Sequence, residues 1–244
     1  MKTALITGAN KGIGFGIARQ LANEGIYVYL GSRDAANGQR AVDALKAEGL
    51  TNVETVVLDV NDQASVDAAS AEIAAKTDTL DILINNAGII GDEDQNPLTS
   101  SIDSIKGTFE TNFYGPIRVT QAFIDLMRDA PAPRIVNVSS GLASQTAATD
   151  PDNPYYTFKM TAYQSSKTAL NMYTIQLAYD LRGSDFKVNA VCPGYISTDI
   201  NNHEGLEPVE VGAARIAKYA LLDADGPTGK YFSEAVFGEG EAKW

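Results

Sequence analysis

One cysteine and one histidine stand in a chain of 244 residues. Cys192 alone can form no intrachain disulfide, so a reducing, cytoplasmic setting is the simplest reading. His203 alone cannot build a Cys/His metal site, and Asp92-Glu93-Asp94 lacks the spacing of a calcium loop, so no metal is expected. Positive charge is also scarce. Nineteen Lys and Arg face 31 Asp and Glu, a formal net charge of −12. Such a surface repels phosphate backbones and anionic lipid, which disfavours nucleic acid and membranes as partners. No apolar run approaches the roughly 20 residues of a membrane span. The segment Met1 to Gly8 imitates a secretory leader, but Asn10 and Lys11 break it at once, and it reads as a mature intracellular N-terminus. Repeats, low-complexity tracts and linkers are missing too, so the chain reads as one domain, 1–244.

What is present is ordinary globular composition, 44% hydrophobic and 20% charged, arranged as strand, turn and helix in repetition. Short apolar strands are predicted at 3–7, 26–31, 53–58, 80–84, 134–139, 186–191 and 229–233. Helices are predicted at 12–24, 35–48, 62–76, 101–128 (with a possible break), 162–181 and 208–222. Strands apolar on both sides, alternating with helices, predict a doubly wound Rossmann-type α/β domain: a parallel sheet of about seven strands covered on both faces. Two polar stretches, 91–100 and 144–160, read as loops within that domain.

Between the first strand and first helix runs Thr7-Gly8-Ala9-Asn10-Lys11-Gly12-Ile13-Gly14. Its glycines allow a tight turn and close approach of a pyrophosphate, and the helix N-terminus offers free N–H groups to the phosphates. The spacing is Gly-x3-Gly-x-Gly, which without its context is also the pattern of an empty tight turn. Its place at the start of a βαβ unit points to a dinucleotide. The second strand ends Leu30-Gly31-Ser32-Arg33-Asp34. Arg33 stands about where an NAD site carries its acid, which favours the 2′-phosphate of NADP(H), and Lys11 could reach the same group. Should Asp34 rather than Arg33 face the ribose, NADH would compete.

Tyr163 and Lys167 are four residues apart on a helix and share a face. A nearby ammonium together with an oxidised nicotinamide would lower a phenol's pKa, and the pair could then donate a proton to a carbonyl oxygen as hydride arrives at carbon. Tyr-x3-Lys alone also occurs by chance on many helices.

Taken together, Thr7-Gly8-x3-Gly12-Ile13-Gly14, Asp59-Val60, Asn85-Asn86-Ala87-Gly88, Asn112, Ser139-Ser140, Tyr163-x3-Lys167 and Pro193-Gly194-Tyr195-Ile196-Ser197-Thr198 resemble, in order and from end to end, a short-chain dehydrogenase/reductase. The resemblance implies roles. Gly8, Asn10, Lys11, Gly12, Ile13 and Gly14 would wrap the phosphates and adenosine ribose, Asp59 and Val60 would border the adenine, and Asn86, Ala87 and Gly88 would line the ribose side. The Pro193-Gly194 turn would lead into Ile196 and Thr198, which would hold the nicotinamide carboxamide. Ser140 would bind the substrate carbonyl, with Ser139 as the alternative, since adjacent strand residues face opposite ways. Tyr163 would be the general acid, Lys167 would bind the nicotinamide ribose and tune Tyr163, and Asn112 would hold a water that resupplies protons.

The gap from Ser140 to Tyr163 is longer than the family pattern. The extra segment, about 147–159, contains two prolines and several Asp and Asn, and reads as a turn-rich excursion at the cleft rim. Tyr155, Tyr156 and Phe158 could meet substrate there, or merely pack the loop. The excursion resembles that of the NADPH-dependent carbonyl reductase branch, in which a larger one covers a dimer face. Monomer and homo-oligomer both stay open.

Cys192 reads as a buried thiol, His203 as an exposed residue of a polar segment, about 199–210, that could close over substrate, and Trp244 as a terminus docked or loose. The function expected is NADPH-dependent reduction of an aldehyde or ketone to an alcohol, with a small-molecule carbonyl substrate. A polyol, sugar or hydroxysteroid dehydrogenase would use the same residues. A non-catalytic NADP-sensing protein would be expected to lack Tyr163 or Lys167.

Overall fold

The computed structural model describes residues 1–244. Seven strands form one sheet: β1 Thr3–Ile6, β2 Tyr27–Ser32, β3 Val53–Val57, β4 Ile82–Asn85, β5 Arg134–Val138, β6 Lys187–Val191 and β7 Lys230–Phe232. They lie in the order β3-β2-β1-β4-β5-β6-β7, and every pairing is parallel. The order reverses between β1 and β4, the switch point at which doubly wound sheets bind ligands.

Helices cover both faces, and strand periodicity explains how. Ala4 and Ile6 of β1, Ile82 and Ile84 of β4, and Val136 of β5 pack beneath α1 (Gly12–Asn23), α2 (Ala35–Ala47) and α8 (Val209–Ala220). The intervening Leu5, Leu83 and Ile135 face α3 (Gln63–Ala74), α5 (Gly115–Arg128) and α7 (Thr161–Asp180). Alternate side chains go to opposite faces, and each face has a helical layer, so the strands read as continuous apolar runs.

The predicted 101–128 helix is α4 (Ile102–Phe109) running through one π-helical turn, Glu110–Tyr114, into α5. Pro116 lies just after the π turn and, having no N–H, cannot continue the ladder to the turn before it. Four short helical pieces carried no periodicity long enough to read. They are Gly141–Ala143, α6 (Gln145–Thr149), the turn Asp199–Asn201 and α9 (Glu234–Phe237). The C-terminus docks: Trp244 stacks on Tyr231, and its carbonyl oxygen accepts from the Thr146 N–H at 3.0 Å. No helix is long and apolar enough to cross a membrane.

Candidate active site

The C-terminal ends of β1, β2, β3, β4, β5 and β6 open on one cleft of about 1040 Å³. It is lined by Gly8, Asn10, Lys11, Gly12, Ile13, Gly14, Arg33, Asp59, Val60, Asn86, Ala87, Gly88, Ser140, Tyr163, Lys167, Pro193, Gly194, Ile196 and Thr198. Of the residues singled out in the sequence for catalysis or cofactor binding, Asn112 is missing from this wall.

The glycine turn is laced to β4. Thr7 Oγ1 accepts from the N–H groups of Asn86 and Ala87, both at 3.0 Å, while Asn86 Nδ2 donates to Thr7 O at 2.9 Å and Gly8 O at 3.2 Å. Gly8 has φ +62, and a Cβ there would lie 3.1 Å from the Ala87 Cα. A Cβ on Gly14 would lie 2.5 Å from Asn86 Nδ2. Helix α1 starts after Lys11 with no side-chain cap, and the N–H groups of Gly12, Ile13 and Gly14 have no partner within the chain. Three free donors at the positive end of a helix dipole suit a phosphate. Across the cleft, the Thr198 hydroxyl is buried and unpartnered, which suits a carboxamide. The residues present therefore fit a dinucleotide.

At the end of β2, Arg33 is exposed. Asp34 beside it accepts from the Asn37 N–H at 2.7 Å and so caps α2. Lys11 Nζ, also on the cleft wall, donates to Asp199 Oδ2 at 2.7 Å in an exposed pair. Asp199 Oδ1 takes His203 Nε2 at 2.9 Å. This bridge joins the glycine turn to the segment after β6. That segment is pinched at its neck, where Ile196 bridges Glu207 and Ser197 N–H donates to Glu207 O at 2.9 Å. Arg215 of α8 grips the same neck, donating to Pro193 O at 2.9 Å and to Glu207 Oε1 at 2.8 Å.

The chemistry-bearing side chains come from β5 and α7. Ser139 is buried and donates to Asn171 Oδ1 at 2.6 Å, whereas Ser140 Oγ lies beside the Tyr163 hydroxyl and accepts from Leu142 N–H at 3.2 Å. Of the two serines, Ser140 therefore faces Tyr163. Burial pushes the Tyr163 phenol up to about 12, and the hydrogen bond with Ser140 opposes this only in part. Lys167, 4% exposed, is pushed down to about 8 by burial. Its Nζ donates to Val138 O at 2.8 Å and lies on the Gly88 and Asn112 side of the cleft. Desolvation dominates, and Lys167 is not among the charges that shift the phenol.

Asn112 sits in the π-helical turn, fully buried, behind the wall. Its Oδ1 accepts from Ile89 N–H at 2.9 Å, and its Nδ2 donates to Ile89 O at 2.8 Å and Ser166 Oγ at 3.0 Å. Both amide hydrogens are committed, so a water held by Asn112 would have to donate to it.

Leu142, Tyr155, Phe158, Met160 and Val236 line the cleft beyond Tyr163. Tyr156 does not; it is exposed, with Lys159 Nζ 4.5 Å from its ring centroid. Cys192 is buried, and its Sγ accepts from Gly141 N–H at 3.0 Å. Sequence reasoning missed Gln95, which lies in a polar loop that carries no motif, and Asp199, whose partner is 188 residues away.

A family model described as short chain dehydrogenase matches residues 2–208. (+)-Neomenthol dehydrogenase of Arabidopsis thaliana is 35% identical over 292 aligned residues, covering 97% of each chain. The structure of salutaridine reductase from Papaver somniferum superposes with a TM-score of 0.82 at 31% identity, over 95% of this chain and 99% of that one. NADPH-bound carbonyl reductase from chicken fatty liver superposes with a TM-score of 0.84 at 27% identity, over 100% and 99%. A parallel sheet with this strand order, a glycine turn at its switch point and these matches across nearly the whole length make the chain a member of the short-chain dehydrogenase family of oxidoreductases.

Proposed function

We propose that this chain is an NADPH-dependent carbonyl reductase that converts an aldehyde or ketone to an alcohol. The observation that carries the reading is the meeting of Ser140, Tyr163 and Lys167 in the cleft that begins at the glycine turn. When bound, NADPH supplies the hydride that reaches the carbonyl carbon. Ser140 and Tyr163 offer two hydroxyl donors to one substrate oxygen and so stabilise the charge that develops there. Tyr163 then gives up its proton to that oxygen. A phenol raised to about 12 is fully protonated at neutral pH. It can therefore act as the general acid that reduction needs. Lys167, whose Nζ donates to Val138 O beside Gly88, orients the ribose side of the site. Gly8, Asn10, Gly12, Ile13 and Gly14 would receive the phosphates, Arg33 the 2′-phosphate, and Thr198 with Ile196 the carboxamide. Asp59, Val60, Asn86, Ala87 and Gly88 would line the adenosine and ribose sides, with Pro193 and Gly194 shaping the nicotinamide end.

The apolar wall of Leu142, Phe158, Met160 and Val236 suits a neutral carbonyl compound. We read 1–244 as one domain, the 147–159 excursion as its rim and 199–210 as a lid. A single buried thiol suits a reducing, cytoplasmic compartment.

The test is the decay of reduced-nicotinamide absorbance with NADPH, and separately NADH, against a panel of aldehydes and cyclic ketones. Turnover with NADPH is expected, together with its loss in Tyr163→Phe while NADPH affinity stays within about twofold, because only the proton donor is removed. Full activity in Tyr163→Phe would remove that residue from the reaction.

A further inference from the structure

Helix α7 carries Tyr163 in its first turn, where backbone N–H groups have no intrahelical acceptor. Its N-cap position is Met160, which supplies no side-chain acceptor. The acceptors come instead from one residue in a different loop. Gln95 O accepts from Thr161 N–H at 3.0 Å. Gln95 Oε1 accepts from Ala162 N–H at 3.0 Å and from Tyr163 N–H at 3.3 Å. The other end of the same amide is committed too: Nε2 donates to Ile90 O at 3.1 Å and Asp92 O at 2.8 Å. All four hydrogen-bonding positions of the amide are filled, and Gln95 is only 7% exposed in a loop whose neighbours are exposed. Room is made by Gly91, at φ +96, where a Cβ would lie 3.1 Å from Nε2.

We propose that Gln95 is a positioning residue for the reaction: it caps the catalytic helix from outside and fixes Tyr163 relative to the Ile90–Asp92 wall of the cleft. The inference rests on the reading of Tyr163 as proton donor. Two hydrogen bonds from Asn112 hold Ile89 next to that wall, so the wall is itself anchored. Without Gln95 the first turn keeps Gln164, whose Oε1 accepts from Met160 N–H at 2.7 Å and whose Nε2 donates to Leu142 O at 3.2 Å, and Ser166, whose hydroxyl donates to Tyr163 O at 2.7 Å, but its N–H groups at 161–163 lose their acceptors. A misplacement of about 1 Å at a reacting group can cost about a hundredfold in rate, and a fraying first turn moves Tyr163 on that scale.

The two ends of the amide are separable. Gln95→Glu keeps an acceptor for the helix, where the dipole favours a carboxylate, but loses both donors to the loop. Gln95→Met keeps the volume and loses both functions. The expected result is a kcat about ten- to a hundredfold below wild type in Gln95→Met, with NADPH affinity unchanged and a larger kinetic isotope effect from nicotinamide-deuterated NADPH. Gln95→Glu should restore kcat to within a few fold while KM for the carbonyl substrate stays raised. That split between kcat and KM is one a general loss of stability does not produce. A Gln95→Met kcat within twofold of wild type would overturn the proposal. So would equal losses of kcat, NADPH affinity and melting temperature in both variants. Tyr163→Phe, assayed alongside, separates the two readings. If it is inactive while Gln95→Met is normal, only the positioning role fails. If it is active, the proton-donor reading fails first.

Discussion

Arg33→Ala should abolish most of the preference for NADPH while leaving NADH binding alone. Arg33 stands exposed at the end of β2, and it takes part in none of the ion pairs of the fold. Asp34 and Lys11, also charged and near that end of the cleft, each have a partner. Asp34 spends its carboxylate on the cap of α2, and Lys11 is held by Asp199. A 2′-phosphate arriving there meets Arg33, which has no ion-pair partner to give up. At 4 Å the interaction of two unit charges is about 1 kcal/mol in bulk water and about 4 kcal/mol at an effective dielectric of 20. An exposed arginine beside a half-open cleft lies between those limits, and removing its hydration takes back part of the gain. A net of about 1.4 to 2.8 kcal/mol corresponds to about ten- to a hundredfold in affinity.

The assay is titration of each cofactor into wild type and Arg33→Ala by calorimetry, at low and at raised salt. NADPH should weaken by about that factor in the variant, with NADH shifted by less than about twofold. The wild-type advantage of NADPH should also shrink as salt rises, because the pair is exposed to screening. Equal loss of both cofactors would show that Arg33 shapes the cleft rather than reads the phosphate. Unchanged NADPH binding would assign the phosphate to another group and refute the argument outright.

Two further outcomes follow from the charges around this cleft. Asp199→Asn releases Lys11 for the phosphate, so NADPH should bind about two- to fivefold more tightly, the scale of an exposed ion pair, with NADH unaffected; weaker NADPH binding would mean the bridge holds the cleft in shape. Lys167 is pushed from 10.5 down to about 8 by burial, so between those values the unfolded chain binds more protons than the folded one, and stability rises with pH across that window. Urea unfolding at steps from about pH 7.5 to 10 should show this rise in wild type and not in Lys167→Met. A parallel rise in both would place its origin elsewhere. Above about pH 10 the sign turns, because folded Tyr163 keeps its proton up to about 12 and stability falls.

The sheet was legible because both of its faces are covered, which leaves seven short apolar runs with helices between them. Boundaries moved by a residue or two where hydrogen bonding disagreed with hydropathy. Leu80 is buried and apolar, yet its N–H donates to Leu126 O rather than to a neighbouring strand, so β4 begins at Ile82. The site was legible for a topological reason. A parallel doubly wound sheet delivers every strand's C-terminal end to one edge, so motifs scattered from Gly8 to Thr198 had to converge. Pieces of one helical turn, such as α6, were not legible, because a helix that short shows no period.

Contacts between distant loops were not legible either, and they change the chemistry. The spacing of Tyr163 and Lys167 fixes a shared helix face, which suggests an ammonium working directly on a phenol. A helix face sets a direction but not which partner a long side chain chooses. Lys167 has four rotatable carbons, and its Nζ reaches Val138 O at 2.8 Å, across the sheet end. The phenol is left with Ser140 and a desolvated setting, which pushes its pKa up. Lys11 shows the same effect: its place in the glycine turn points it at a phosphate, and Asp199, brought in by the fold from the far end of β6, takes it first. In both cases the residue types and their order along the chain define the reaction class. The competing partners that decide how strongly each charge acts are supplied only by tertiary structure.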